Sequence, residues 1–158
     1  MPSSNLASRP ISAAKVAWAF PVAAVAPSFG NLAVYAIAKG FLGVDFIFPL
    51  QPQAAPEALP IVNLVLANVV PAAVASVLLV LLARFTKNGV TWFWLISLVV
   101  MFGSLIGPMK LEETTDATKW ALGLMHVVAG FLIPVVLTRL GRADSARRIA
   151  AAAAAALH

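Results

Sequence analysis

Four runs without a single charged side chain, residues 16–38, 58–83, 88–109 and 120–138, dominate this 158-residue chain. Each is 19 to 26 residues long, and an α-helix needs roughly 17–25 mostly apolar residues to cross about 30 Å of hydrocarbon. Membrane-spanning strands would alternate apolar and polar side chains over segments of about ten residues, and stretches such as VLLVLLA (residues 77–83) show no alternation. In lipid, each backbone donor and acceptor must be satisfied without water, so unalternating runs of this length can only be helices. The expected fold is all-α: a transmembrane four-helix bundle with spans at about residues 16–38, 59–83, 90–109 and 118–139 in one domain covering residues 1–140. Residues 141–158, rich in alanine, are expected to form a short cytoplasmic C-terminal helix in which Arg147 and Arg148 meet anionic headgroups.

The mean hydropathy of +0.94 lies far outside the range of soluble domains of this size. The net charge of +5 does not point to nucleic acid, because the basic residues cluster at span ends, where they anchor and orient a membrane protein. The chain has no cysteine, which excludes disulfides and thiolate metal sites. An apolar run ending in AVA (residues 24–26) imitates a signal-peptide cleavage site, but Pro27 follows it and the run continues well beyond, so cleavage is not expected.

Charge also orients the spans. If they alternate, Arg9, Lys15, Arg84, Lys87, Arg139, Arg142, Arg147 and Arg148 share one side, against Lys39, Lys110 and Lys119 on the other. The positive-inside rule then places both termini in the cytoplasm of a bacterial cell, with the chain in its inner membrane. Trp18, Trp92, Trp94 and Trp120 all fall near span ends, where indole prefers to sit. Thr115 or Asp116 is the expected N-cap of the fourth span. The longest connection, residues 39–60, carries Phe41, Phe46 and Phe48, which suggests that its first half lies along the membrane surface.

Helices in lipid associate through small residues and shared hydrogen bonds. Ser28, Asn31 and Tyr35 share a face of the first span, as do Asn68, Ala72, Ala75 and Ser76 on the second. Gly103 and Gly107 flank Ser104 on the third, and Gly123, His126, Gly130 and Pro134 line up on the fourth. Pro21, Pro27, Pro71 and Pro134 deprive the carbonyls of Ala17, Ala23, Ala67 and Gly130 of their helical donors. At 1.5 Å per residue, Asn31, Asn68 and His126 all lie roughly 10–15 Å below the same boundary, with Ser104 and Tyr35 somewhat shallower. A polar layer inside the bundle, made of His126, Asn31, Asn68, Ser104 and Tyr35, is therefore expected to bind a ligand or to be linked to protons. A purely structural hydrogen-bonding node is the plain alternative.

Two stretches, NLAVYAIAKGFLGVDF (residues 31–46) and SLIGPM (104–109) followed by TTDATKWALGLMHVVAGFLIPVVLTRL (114–140), resemble an uncharacterised family of small four-span bacterial membrane proteins of actinobacterial type. The resemblance implies that Asn31, Tyr35 and His126 belong to the family pattern, but it supplies no roles for them. The alanine-rich tail lies outside it.

These features predict a non-enzymatic membrane protein that binds a small molecule, lipid or partner subunit through the polar layer. Its expected surroundings are the lipid bilayer and, beyond it, a homo-oligomer or larger membrane complex. An oligomeric channel or proton-coupled transporter using His126 is the alternative, since four spans leave little room for alternating access within one chain. A membrane-embedded enzyme or haem-binding protein ranks below both: Met101 and Met125 are weak axial ligands, and no embedded acid supports a Ser104–His126 pair. No cofactor and no metal are expected.

Overall fold

The computed structural model describes residues 10–48, 55–112 and 114–142. The expected tail helix with Arg147 and Arg148, and likewise Arg9, lies outside the described residues. Five helices and one small strand pair make up the described chain: α1 (Ala13–Leu42), β1 (Ile47–Phe48), β2 (Glu57–Ala58), α2 (Ile61–Phe85), α3 (Gly89–Ser104), α4 (Ile106–Met109) and α5 (Asp116–Leu140). With α3 and α4 counted as one span over Gly89–Met109, four helical segments are long and apolar enough to cross a membrane. Large apolar side chains stand exposed all around them, from Trp18 and Phe29 on α1 to Val70 on α2, Val99 on α3 and Trp120 on α5. A belt of this kind is untenable in water and is what a lipid-facing surface requires.

Helix boundaries follow local chemistry. The α1 helix ends at Gly43, whose φ of 64° places it in the left-handed region open to glycine, and the Val44 N–H then reaches back to Ala38 O at 3.0 Å. At the start of α5 it is Thr115 rather than Asp116 that caps, its Oγ1 accepting from Thr118 N–H at 3.2 Å. The third span is not continuous. Pro108 has no N–H for Ser104 O, and the helix breaks at Leu105 before one further turn forms as α4.

Around the bundle, α1 packs on α2 and α5, and α3 packs on the same two helices from the opposite side without touching α1. At one end, the start of α1 and the end of α5 are joined by Ser12 N–H donating to Gly141 O at 2.9 Å and by a bridge between Ile11 and Arg142. We call this the terminal end and the other the loop end. In the terminal half the core draws on every span: Val16, Ala19 and Ala23 of α1, Ala72 and Leu79 of α2, Phe93 of α3, and Ile133 and Leu137 of α5. In the loop half it draws on Ala38, Leu64, Ala121, Leu122 and Met125, together with Val44, Phe46 and Phe48, and no residue of α3 takes part.

The loop that follows α1 departs from expectation. Phe46 and Phe48 do not lie along a membrane surface but are buried in that loop-half core, while Phe41 alone of the three stays exposed. The antiparallel pairing of Ile47 with Ala58 and Phe48 with Glu57 folds the segment back over the bundle end. Thr118 Oγ1 fastens it to α5 by donating to Asp45 O at 2.8 Å. Burying two aromatic rings outweighs leaving them at an interface, because the three helices of the loop half leave space that only large side chains fill.

Glycines mark where helices come closest. A methyl group at Gly130 of α5 would overlap Met101 of α3, and one at Gly30 of α1 would come within 2.6 Å of Val128 Cγ1. Gly103 and Gly107, the small-residue pair expected to pack α3, face open space instead. Gly130→Val should therefore lower stability by roughly 1–3 kcal/mol through overpacking. Gly103→Ala should change it by no more than about 0.5 kcal/mol. Thermal unfolding of both variants in a mild detergent checks this contrast, and equal effects would contradict the packing described.

Candidate functional site

The absence of α3 from the loop-half core leaves a cavity of about 600 Å³ between α2, α3 and α5, within the range of sites that hold small molecules. Its floor is Asn31, the only α1 residue to reach it. One wall comes from α2 (Asn68, Pro71, Val74), another from α3 (Ser97, Met101, Ser104) and the third from α5 (Met125, His126, Gly130). No Asp, Glu, Lys or Arg lines it. Val70, Val74 and Val100 line it and are also exposed, so it opens sideways between α2 and α3 rather than along the bundle axis. Toward the terminal end it is closed by the four-span core around Leu79 and Phe93, both completely buried.

Four of the five residues expected to form a polar layer meet here. Asn31, Asn68, Ser104 and His126 all line the cavity. Tyr35 does not. Its ring stacks on Phe46 with centroids 4.7 Å apart, and its hydroxyl accepts from Lys39 Nζ at 3.3 Å, which places it at the loop end.

The four cavity residues differ in what they have left to offer. Asn68, 2% exposed, donates both amide hydrogens, to Ser28 Oγ at 3.1 Å and to Leu64 O at 2.7 Å. Ser28 in turn donates to Ala24 O at 3.3 Å, so a polar rung joins α1 to α2. Ser104 donates its hydroxyl hydrogen to Met101 O at 2.7 Å. His126 is bonded not to either asparagine but to its own helix, with Nδ1 at 2.8 Å from Leu122 O. A carbonyl can only accept, so Nδ1 is the donor in this bond. His126 is exposed in the isolated chain, which sets it at the rim of the cavity while the asparagines sit at its base.

Asn31 stands apart. The residue is 6% exposed, and its Oδ1 is buried without a hydrogen-bond partner among the described residues. An unmet buried acceptor costs about 1–3 kcal/mol, and this oxygen is also closed off from the cavity that the residue lines. Two further acceptors come from the backbone, since Pro71 and Pro134 line the cavity and leave the carbonyls of Ala67 and Gly130, also lining residues, without helical donors. Spacing along the chain signals these four polar residues and both prolines. It does not signal the floor position of Asn31, nor the break after Ser104 that opens the space, although Pro108 was the available clue.

This is the architecture of a multi-pass membrane protein with a side-opening, uncharged cavity. The chain belongs to DUF6069, a family of unknown function whose sequence profile spans residues 9–143. No curated protein and no solved structure matches it.

The two asparagines should respond oppositely to removal of their amides. Asn68→Leu discards two hydrogen bonds and unseats Ser28, a loss of about 1–3 kcal/mol. Asn31→Leu removes a polar group that has no bond to lose, so its thermal midpoint in detergent should stay level or rise. A large fall for Asn31→Leu would show that its amide is paired after all.

Proposed function

We propose that this protein binds an apolar small molecule or lipid that enters its cavity sideways from the bilayer. The observation that carries this reading is the cavity itself, uncharged, mostly apolar in its lining and open between α2 and α3 through exposed valines. The packed terminal half argues against a passage through a single chain, so a channel or proton-coupled carrier using His126 would have to build its route between copies. On the same reading the membrane is the bacterial inner membrane and both termini of the chain face the cytoplasm. The excess of Arg and Lys at that end supports this orientation.

Orientation is directly testable because the chain lacks cysteine. In intact cells, Glu112→Cys should react with a membrane-impermeant maleimide, whereas Lys87→Cys should react only after the membrane is opened. The reverse pattern would invert the topology. For the cavity, a hydrocarbon bearing a photoactivatable diazirine should label peptides containing Val70, Val74 and Val100 saturably in the purified protein. Filling the space by Ser97→Trp should abolish the saturable part. Labelling that is uniform around the bundle and indifferent to Ser97→Trp would end the binding hypothesis.

A further inference from the structure

We propose that the ligand of this cavity is a long-chain carboxylic acid, its carboxyl paired with Nε2 of His126 at the rim and its aliphatic chain lying in the cavity and its opening between α2 and α3. This rests on the binding reading above and adds the chemistry of what is bound.

His126 is the only titratable side chain among the residues that line the cavity. The bond from Nδ1 to Leu122 O holds the ring against its own helix and leaves Nε2, the other ring nitrogen, without a partner among the described residues. The residue stands ten positions into α5, about 15 Å from its start, at a depth where hydrocarbon supplies no hydrogen-bonding partner. It is nevertheless exposed. A ring nitrogen that is accessible and unpaired at that depth is a seat for a polar group that arrives through the bilayer.

Head groups can be sorted against an imidazole with no other charge around it. A carboxylic acid can keep its proton and donate O–H to Nε2, or pass it to the ring and accept N–H in return. In either form the pair carries no net charge, and the first form is uncharged throughout. A phosphodiester gives up its proton too readily for that, so it pairs only as an anion with an imidazolium, and a buried charge pair is costly in low dielectric. An ammonium brings a positive charge that no carboxylate in the lining offsets. An ester or ketone has no proton to give. An alcohol can donate to Nε2, but it cannot follow with the stronger, charge-assisted bond if the ring takes up a proton.

The walls choose the rest of the molecule. Leu, Ile, Val, Met, Ala and Pro make up the apolar lining, and apart from the His126 ring no aromatic side chain contributes. An aliphatic chain packs on such walls without needing the stacking partners that an aromatic ligand favours. The exposed valines at the opening, Val70, Val74 and Val100, let that chain pass between cavity and lipid.

The test compares three probes that differ only in the head group: a long-chain carboxylic acid carrying a diazirine in its chain, its methyl ester, and the alcohol of the same chain. Each is photolysed at equal mole fraction with the full-length protein in nanodiscs of phosphatidylcholine and phosphatidylglycerol, and saturable labelling of α2, α3 and α5 peptides is read by mass spectrometry. The acid should bind about tenfold more tightly than either of the others, a difference of about 1.4 kcal/mol. His126→Leu should erase that preference while the ester still labels the same peptides, which shows the cavity to be intact. His126→Gln, which keeps a polar side chain but cannot take up the acid's proton, should erase it as well. Equal affinity of the acid and either neutral probe for the native chain would overturn the carboxylic acid assignment, without recourse to a variant, and leave the binding reading intact. Failure of all three probes to label the cavity saturably would overturn both. A preference that survives undiminished in His126→Leu would refute the seat assigned to the carboxyl.

Discussion

Within hydrocarbon there is no water to satisfy a polar group that folding leaves unpaired, and many of the polar side chains in the spans of this protein are placed by that constraint. Ser28, Ser76, Ser104, Thr86 and Thr138 donate to carbonyls three or four residues back on their own helices, so each enters the bundle already satisfied. Asn68 goes further and uses Ser28 as well as its own helix, tying α2 to α1 with one short rung. Against this economy the unmet Oδ1 of Asn31 is conspicuous.

The cavity has an equally local origin. Phe93 of α3 is fully buried near the hairpin with α2, where Gly89 lets the two helices approach closely. Further along, Met101 presses against Gly130, and then the helix breaks at Leu105 ahead of Pro108. Beyond that contact α3 no longer joins the core, and Phe46 and Phe48 of the folded-back loop take up the space on the other side of the bundle. The result is asymmetric: a packed terminal half, and a loop half sealed against α1 but open between α2 and α3. A side opening between two membrane-spanning helices faces lipid rather than water.

Much of this was legible in the chain. Four uncharged runs became helices that start and stop within a few residues of the charges around them, because charged side chains cannot be drawn into lipid cheaply. Asn31, Asn68, Ser104 and His126 reached one cavity because a fixed rise of about 1.5 Å per residue lets depth be counted along each helix. Tyr35 was misplaced for an axial reason: on the same face but one turn beyond Asn31, it sits where the loop folds over, and Phe46 claimed its ring. Gly103 and Gly107 looked like a packing face and are not: both face open space, while Leu105 and Met109 of the same stretch lie against Gly123 of α5.

Hydrophobic length and helical rise act within a segment, so they can be read from order alone, and they determined the number of spans, their ends and the depth of each polar group. Which helices touch, and on which face, depends on how side chains from distant segments fill a shared volume. That packing decided that α3 would leave the core halfway, that two loop phenylalanines would enter it, and that the Asn31 oxygen would be buried without a partner. It also turned His126 back onto its own helix, at the rim of that space.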